Sequence, residues 1–387
     1  MSARSPGFRL ACAVVLCSML LLLDRLPRAP SPAEPKAVWP LAVKLPAEGV
    51  PVLMAQGRIP VPADTPVAHA SSLLALPASH PSALLAFWFS GSSESAADVQ
   101  IAASHFDRPT QQWSAARFVV NRHAMAEQLG FGLRRLGNPV AWRDRQGRIH
   151  LFVVATGLGG WAAARILHLR QSNRGEDFAA LSFDAERVLP LSWLWNESFL
   201  VRTAPLPLKD GGMVLPVHFE MGIKYPVGLR FDASGGFLGM VRISSRKYLL
   251  QPTLLMETES SWLALMRVQR SDGKVAVAQT LDGGRSWADL PDLTLSNPDS
   301  SVAGLTLAPG RMFLAHNSLA NSRAVLDLSA SADGRNWVLA QALAHGAGYD
   351  EYSYPALAWA DDSLWVSYTD RRQAIAWQRF SFSATTR

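Results

Sequence analysis

The chain is poor in cysteine: among 387 residues only Cys12 and Cys17 carry thiols, and both fall in an N-terminal apolar stretch. The remainder holds neither a disulfide framework nor a thiolate metal site. Charge is also sparse, with 18% charged against 49% hydrophobic residues, which excludes a disordered chain and supplies material for a large core. The net charge of +6 is scattered, without a basic run or stripe. That argues against nucleic acid as the main partner and leaves an anionic small ligand open. Stretches of helical period are few, the best being Met125 to Leu136. No Gly-x-Ser-x-Gly, P-loop or His-Glu-x-x-His signature occurs, and Gly157-Leu158-Gly159-Gly160 reads as a turn. His69, His218 and His316 are too scattered to indicate a metal, and no cofactor is expected.

What is abundant points to β structure. Thirteen Trp, 16 Phe, 27 Gly and 25 Pro suit many short strands joined by turns. Apolar runs closed by Gly, Asp, Asn or Pro recur, as at Ile149 to Val154, Met213 to Val217, Leu263 to Met266, Arg311 to Ala315 and Ser363 to Tyr368. Ahead of them, Arg4 and Arg9 precede an uncharged run from Leu10 to Leu23, which Asp24, Arg25 and Arg28 close. A basic head and a short apolar stretch resemble a secretory signal. As a helix the run spans only about 21 Å, short of a hydrocarbon core. No small-residue pair suits cleavage before Ser31 and Ala33. A cleaved signal and an uncleaved anchor both remain open. The expected division is residues 1–27 as signal or anchor, 28–45 as a Pro-rich linker and 46–387 as the folded body. That body is expected outside the cytoplasm, periplasmic or secreted, or held at the inner membrane.

One motif organises the body. Thr280-Leu281-Asp282-Gly283-Gly284-Arg285-Ser286-Trp287 reads Ser/Thr-x-Asp-x-Gly-x-Ser/Thr-Trp. Such a segment makes a hairpin turn: Asp accepts bonds from turn amides, Gly supplies positive φ, and Trp packs beneath. Ser331 to Trp337 is a shortened copy, and Ser104 to Trp113, Ser172 to Phe178 and Asp232 to Phe237 are weaker echoes. The closing aromatics Trp113, Phe178, Phe237, Trp287 and Trp337 are about 50 to 65 residues apart, near the length of one four-stranded propeller blade. Five marks and one unmarked blade predict an all-β, six-bladed β-propeller closed by pairing of its terminal strands.

These Asp-box turns resemble those of the sialidase (neuraminidase) superfamily, most closely its bacterial BNR-repeat, sialidase-like group, over residues 65 to 382. The likeness rests on His69-Ala70-Ser71 with Leu84 to Gly91, Gly137-Asn138-Pro139-Val140, Asn297-Pro298-Asp299-Ser300-Ser301, and Glu351-Tyr352-Ser353-Tyr354-Pro355 with Tyr368-Thr369-Asp370-Arg371-Arg372. A retaining sialidase uses three arginines around the substrate carboxylate, a Tyr nucleophile, a Glu that activates it and an Asp acid/base. Arginine forks bind carboxylate in bidentate fashion, and a neutral phenol escapes repulsion by it. The resemblance implies Tyr352 as nucleophile, Arg267 and Arg323 as the second and third arginines, and Asn138, Asn297 and Arg371 as further binding candidates. It departs from the pattern twice. His69 stands where the first arginine is expected, Arg58-Ile59-Pro60 lying too far upstream, and Gln251 stands where the Glu belongs and cannot act as a base. For the acid/base, Glu94 and Asp98 are available after Phe89, and Glu220 is a carboxylate from another blade.

The function expected from these residues is hydrolysis of a glycosidic bond in an acidic glycan of sialic acid or uronate type. Two alternatives stand beside it. One is a uronate polysaccharide lyase with His69 and Tyr352 as base and acid. The other is a non-catalytic propeller that binds a glycan or partner through an eroded site.

Overall fold

The computed structural model describes residues 6–24, 34–40 and 49–383, apart from 174, 176 and 271. Among the described residues from 50 onward, six antiparallel sheets form the blades of a propeller, and Gly273–Lys274 pairs with Ser296–Asn297 in a small separate sheet. Blade 1 starts with Val67–Ala75, blade 2 with Arg135–Arg143, blade 3 with Phe199–Val201 and Leu206–Pro207, blade 4 with Leu249–Met256, blade 5 with Ala303–Ala308 and blade 6 with Tyr352–Ala360. Each of these is the innermost strand of its blade, and three further strands follow outward. The fourth strand of blade 6 comes from the other end of the body: Val50–Ile59 pairs antiparallel with Ala374–Ser383, from Val50 opposite Ser383 to Ile59 opposite Ile375. This closure joins the two ends of the ring in one sheet.

The count of six follows from packing. Six apolar clusters fill the gaps between neighbouring blades, one per gap. A blade in such a ring buries both faces, so its second strand reads as a continuous apolar run: Ser82–Gly91 and Ile149–Thr156 are buried throughout. Trp88, Trp262 and Trp365, all on second strands, are among the largest side chains fully withdrawn from solvent.

The Asp-box turns join the third to the fourth strand. Asp282 accepts hydrogen bonds from the Arg285 and Ser286 amides, both at 2.9 Å, and from the Thr280 hydroxyl at 2.7 Å. Gly284, at φ +83°, lies so close to Trp262 that a Cβ would meet its ring at 2.8 Å. Asp333 repeats the arrangement with the Arg335 and Asn336 amides at 2.8 Å each. In the echoes, Asp107 and Asp232 cap the matching turns of blades 1 and 3. The unmarked blade is the sixth, because its third and fourth strands come from opposite ends of the body and no turn joins them. Replacing Asp282 by Ala is expected to cost about 2–3 kcal/mol, the sum of several turn bonds to a charged acceptor. Chemical denaturation checks this, and a loss under about 0.5 kcal/mol would mean that the turn holds without its carboxylate.

Two readings shift in detail. The helix expected over Met125 to Leu136 is Arg122–Leu129 instead. Asn121 caps its N-terminus, accepting from the His123 amide, and Gly130 ends it at φ +72°. Arg135 onward is already the inner strand of blade 2. The apolar N-terminal segment is a helix, Pro6–Asp24, of mean hydropathy 2.1 in its central window and long enough to cross a membrane. Part of the expected linker is fixed: Ala37 is fully buried and bridges Leu208, and its amide donates to the Glu259 carbonyl at 2.8 Å.

Candidate active site

The inner strands leave one edge unpaired toward the central channel. Near the start of several of them the ladder is broken by a bulge, at Asn138, at Ala70-Ser71, at Gln251-Pro252 and at Tyr354-Pro355. Positive φ is concentrated at the same level: Ala70 at 58°, Ser198 at 70°, Gln251 at 48°, Asp299 at 51° and Tyr354 at 53°. Non-glycine residues in this region cost about 1–3 kcal/mol each and cluster at functional sites. At Gln251 and Tyr354 the positive φ coincides with a break in the ladder, and both residues line the channel mouth.

At that mouth lies a cavity of about 190 Å³, lined by residues from blades 1, 2, 3, 4 and 6. Tyr354, Arg267, Gln251, His218, Glu220, Glu94 and Asn138 supply its polar groups, with Phe89 and Trp161 among the apolar ones. Arg267 donates through Nε to Asp299 Oδ1 at 2.6 Å and through Nη1 to Gln251 Oε1 at 3.1 Å. Burial works against its charge, but the phenol of Tyr354 and the Asp299 carboxylate hold its pKa above the ordinary guanidinium value. The bonding continues around the rim. Arg323 donates to the Asp299 carbonyl and, at 3.0 Å, to Glu351 Oε1. Arg372 donates to Glu351 Oε2 at 2.8 Å and pairs with Glu94. Guanidinium and carboxylate groups thus alternate from blade 4 through blades 5 and 6 to blade 1.

Beneath this rim lies Arg202, only 2% exposed. From blade 3 it crosses the channel, donating to the Ser71 carbonyl at 3.1 Å and the Pro355 carbonyl at 2.8 Å. Its guanidinium lies 5.1 Å from the centre of the Tyr354 ring. Burial pushes its pKa down to about 10, so it stays charged at neutral pH. His69 packs against Tyr354, ring centres 4.4 Å apart, and its two ring nitrogens are buried without a hydrogen-bond partner among the described residues. Burial, then the charges of Arg372, Arg202 and Arg323, hold its pKa well below the usual value, and the ring is neutral.

The sequence candidates separate accordingly. Arg267, Gln251, Glu94, Glu220 and Asn138 line the cavity, and Arg323 belongs to the rim. Tyr352 is at the same end of the ring, its amide donating to the Arg323 carbonyl, but its ring packs in the gap between blades 5 and 6 against Tyr368. The tyrosine in the cavity is Tyr354. Asp98 lies outside the lining and closes its loop by accepting from Ser92. Asn297 is fully buried and shapes the turn that presents Asp299, accepting from the Ser300 amide. Arg371 pairs with Asp370 outside the cavity lining, as does Arg58 from the outer strand of blade 6. His218 bonds Glu220 at 3.0 Å, whereas His316 bonds Ser329 apart from the cavity. Arg202 was not singled out from sequence, and Tyr354, Asp299, Glu351 and Arg372 were named only within the segments that carry the resemblance, without a site role of their own. A shared signal was available: Asn138, Gln251 and Tyr354 each precede a proline within an inner strand, and all three line the cavity.

Glu220 gives a pH test. Burial opposes its ionisation, but the bond from His218 and the Lys224 ammonium at 2.7 Å outweigh it and bring its pKa from 4.5 to about 2. The folded value is below the unfolded one. The stabilisation is therefore present above pH 4.5 and is lost as pH falls toward 2. Glu220→Gln is expected to flatten stability over that interval, measured by denaturation at stepped pH, and an unchanged slope would exclude the pair as its source.

Comparison with known proteins agrees with this architecture. A family model described as BNR repeat-like domain matches residues 82–366. The chain belongs to the BNR repeat-like family. No curated protein matches it. Among solved structures, a protein of unknown function from Dyadobacter fermentans superposes with a TM-score of 0.63 at 12% identity, over 87% of this chain and 100% of that one. A sialidase from Trypanosoma rangeli in complex with the inhibitor DANA gives 0.61 at 12% identity, over 90% of this chain and 60% of that one. The NanB sialidase from Streptococcus pneumoniae gives 0.60 at 11%, over 85% and 70%. At such identities the likeness establishes the shared sialidase-like propeller and nothing finer.

Proposed function

We propose that this BNR repeat-like protein is an extracytoplasmic glycoside hydrolase for an acidic sugar of sialic acid or uronate type, with Tyr354 as nucleophile. One observation carries the reading: a phenol set against Arg267 and beside the buried cation of Arg202, in a cavity that also holds the carboxylates of Glu94 and Glu220. The sugar carboxylate docks on the guanidinium rim, where Arg267 is the arginine that lines the cavity. Neutral Tyr354 is not repelled by it, and the two cations favour the developing phenolate. Attack of the phenol oxygen on the anomeric carbon breaks the glycosidic bond; the phenol proton passes to the Glu220 carboxylate in the same cavity and returns to the tyrosine oxygen when water releases the sugar, and the leaving oxygen takes a second proton. Glu94, on the loop after Phe89, is the carboxylate placed to give and recover that proton.

The lyase reading is less well supported, because His69 is buried behind Tyr354 and does not line the cavity. The test is to incubate the protein with sialosides and uronate polysaccharides and to follow both reducing ends and ultraviolet absorbance. Released sugar without a new absorbing double bond supports hydrolysis; unsaturated product would replace it with elimination. Arg267→Ala is expected to weaken binding of the acidic sugar about 10- to 100-fold, the worth of a charge-assisted bond pair, and unaltered affinity would remove Arg267 from the site.

A further inference from the structure

The rim around the cavity has an apolar part that neither the fold nor the proposed chemistry uses. The segment joining blade 2 to blade 3 carries Trp193, Leu194 and Trp195, which are 64%, 42% and 44% exposed. Its end adjoins the cavity, because the Ser198 carbonyl accepts from the Glu220 amide at 2.8 Å. Next to Glu220 are exposed Met221 and Ile223, and the Ile223 carbonyl accepts from the amide of exposed Tyr248. Leu158, 83% exposed, precedes the short helix that brings Trp161 into the cavity. All these loops enter inner strands or link second to third strands, so they share the mouth end of blades 2 to 4.

The same patch receives the N-terminal helix. The Asp24 carboxylate accepts from the Ser192 hydroxyl and, at 3.0 Å, from the Trp193 amide. Asp24 is the only buried residue of Pro6–Asp24, so the helix departs from the propeller instead of lying on it. Its 19 residues reach about 28 Å, close to the thickness of a hydrocarbon core. Tryptophan beside the end of such a helix occupies the position where aromatic side chains anchor proteins at the membrane–water boundary.

We infer that the helix is retained as an anchor and that the mouth face of blades 2 to 4 rests on the outer surface of the same bilayer, with Trp193, Leu194 and Trp195 in its interfacial layer. The inference does not depend on which bond the site breaks. The test uses the full chain reconstituted in phosphatidylcholine vesicles with nitroxide-labelled lipid. A nitroxide near the headgroup is expected to quench tryptophan emission more than one near the chain end, and Trp193→Ser/Trp195→Ser to lose about half or more of that quenching. Met221→Ser/Ile223→Ser, on a separate loop, is expected to keep the tryptophans but shift quenching toward shallower labels. Equal quenching of wild type and the tryptophan variant would overturn the inference. So would recovery from cell membranes of a chain that has lost Pro6–Asp24, read by intact mass.

Discussion

Tyr354→Phe is expected to lower turnover of the acidic glycan on the order of 10³-fold while leaving its binding within about 3-fold of wild type. The ring remains, so its contacts with His69 and Arg202 persist and the fold is not disturbed. Only the hydroxyl that faces Arg267 is removed. Tyr352→Phe, two residues earlier, is expected to change turnover by less than about 3-fold, because its ring packs between blades 5 and 6. Steady-state rates of the two variants against wild type decide the matter. Equal loss in both, or loss in Tyr352→Phe alone, would withdraw the role given to Tyr354.

The second large effect concerns stability. Arg202→Ala is expected to cost about 3–5 kcal/mol, because it strands the Ser71 and Pro355 carbonyls without their donor and opens a void where three blades meet. Arg202→Lys keeps the charge but cannot reach both carbonyls with one ammonium, and is expected to fall between. Denaturant midpoints at unchanged slope measure both. A cost below about 1 kcal/mol for Arg202→Ala would show that the channel closes without its buried cation.

The propeller was legible because its signals are local. An Asp-box turn needs only a carboxylate, a glycine or two and an aromatic within eight positions, so Thr280 to Trp287 identifies itself without reference to the rest of the chain. The blade number followed from the spacing of such turns, and the blade that lacked one proved to be where the first and last strands of the propeller meet. Arg267 and Gln251 were likewise reachable, since each follows from its place in a strand of blade 4. Tyr354 was not. Residues two apart in a regular strand share a face, and on that rule Tyr352 and Tyr354 are equivalent. A bulge at Tyr354-Pro355 breaks the period, sending one ring into the gap between blades 5 and 6 and the other into the cavity. The prolines after Asn138, Gln251 and Tyr354 are the trace of this in the sequence: proline is tolerated at an unpaired strand edge and often marks a bulge.

By itself, then, the order of residues determined which segments become strands and where they turn, since those choices depend on side chains a few positions apart. Which charged groups meet at the channel mouth was settled only by closing the ring. Arg202, Arg267, Arg323 and Arg372 come from four different blades and approach one another because six sheets pack face to face. Their pairing with Asp299, Glu351 and Glu94, and the burial that lowers the pKa of His69, are properties of that shared and partly dehydrated space. No single segment carries them.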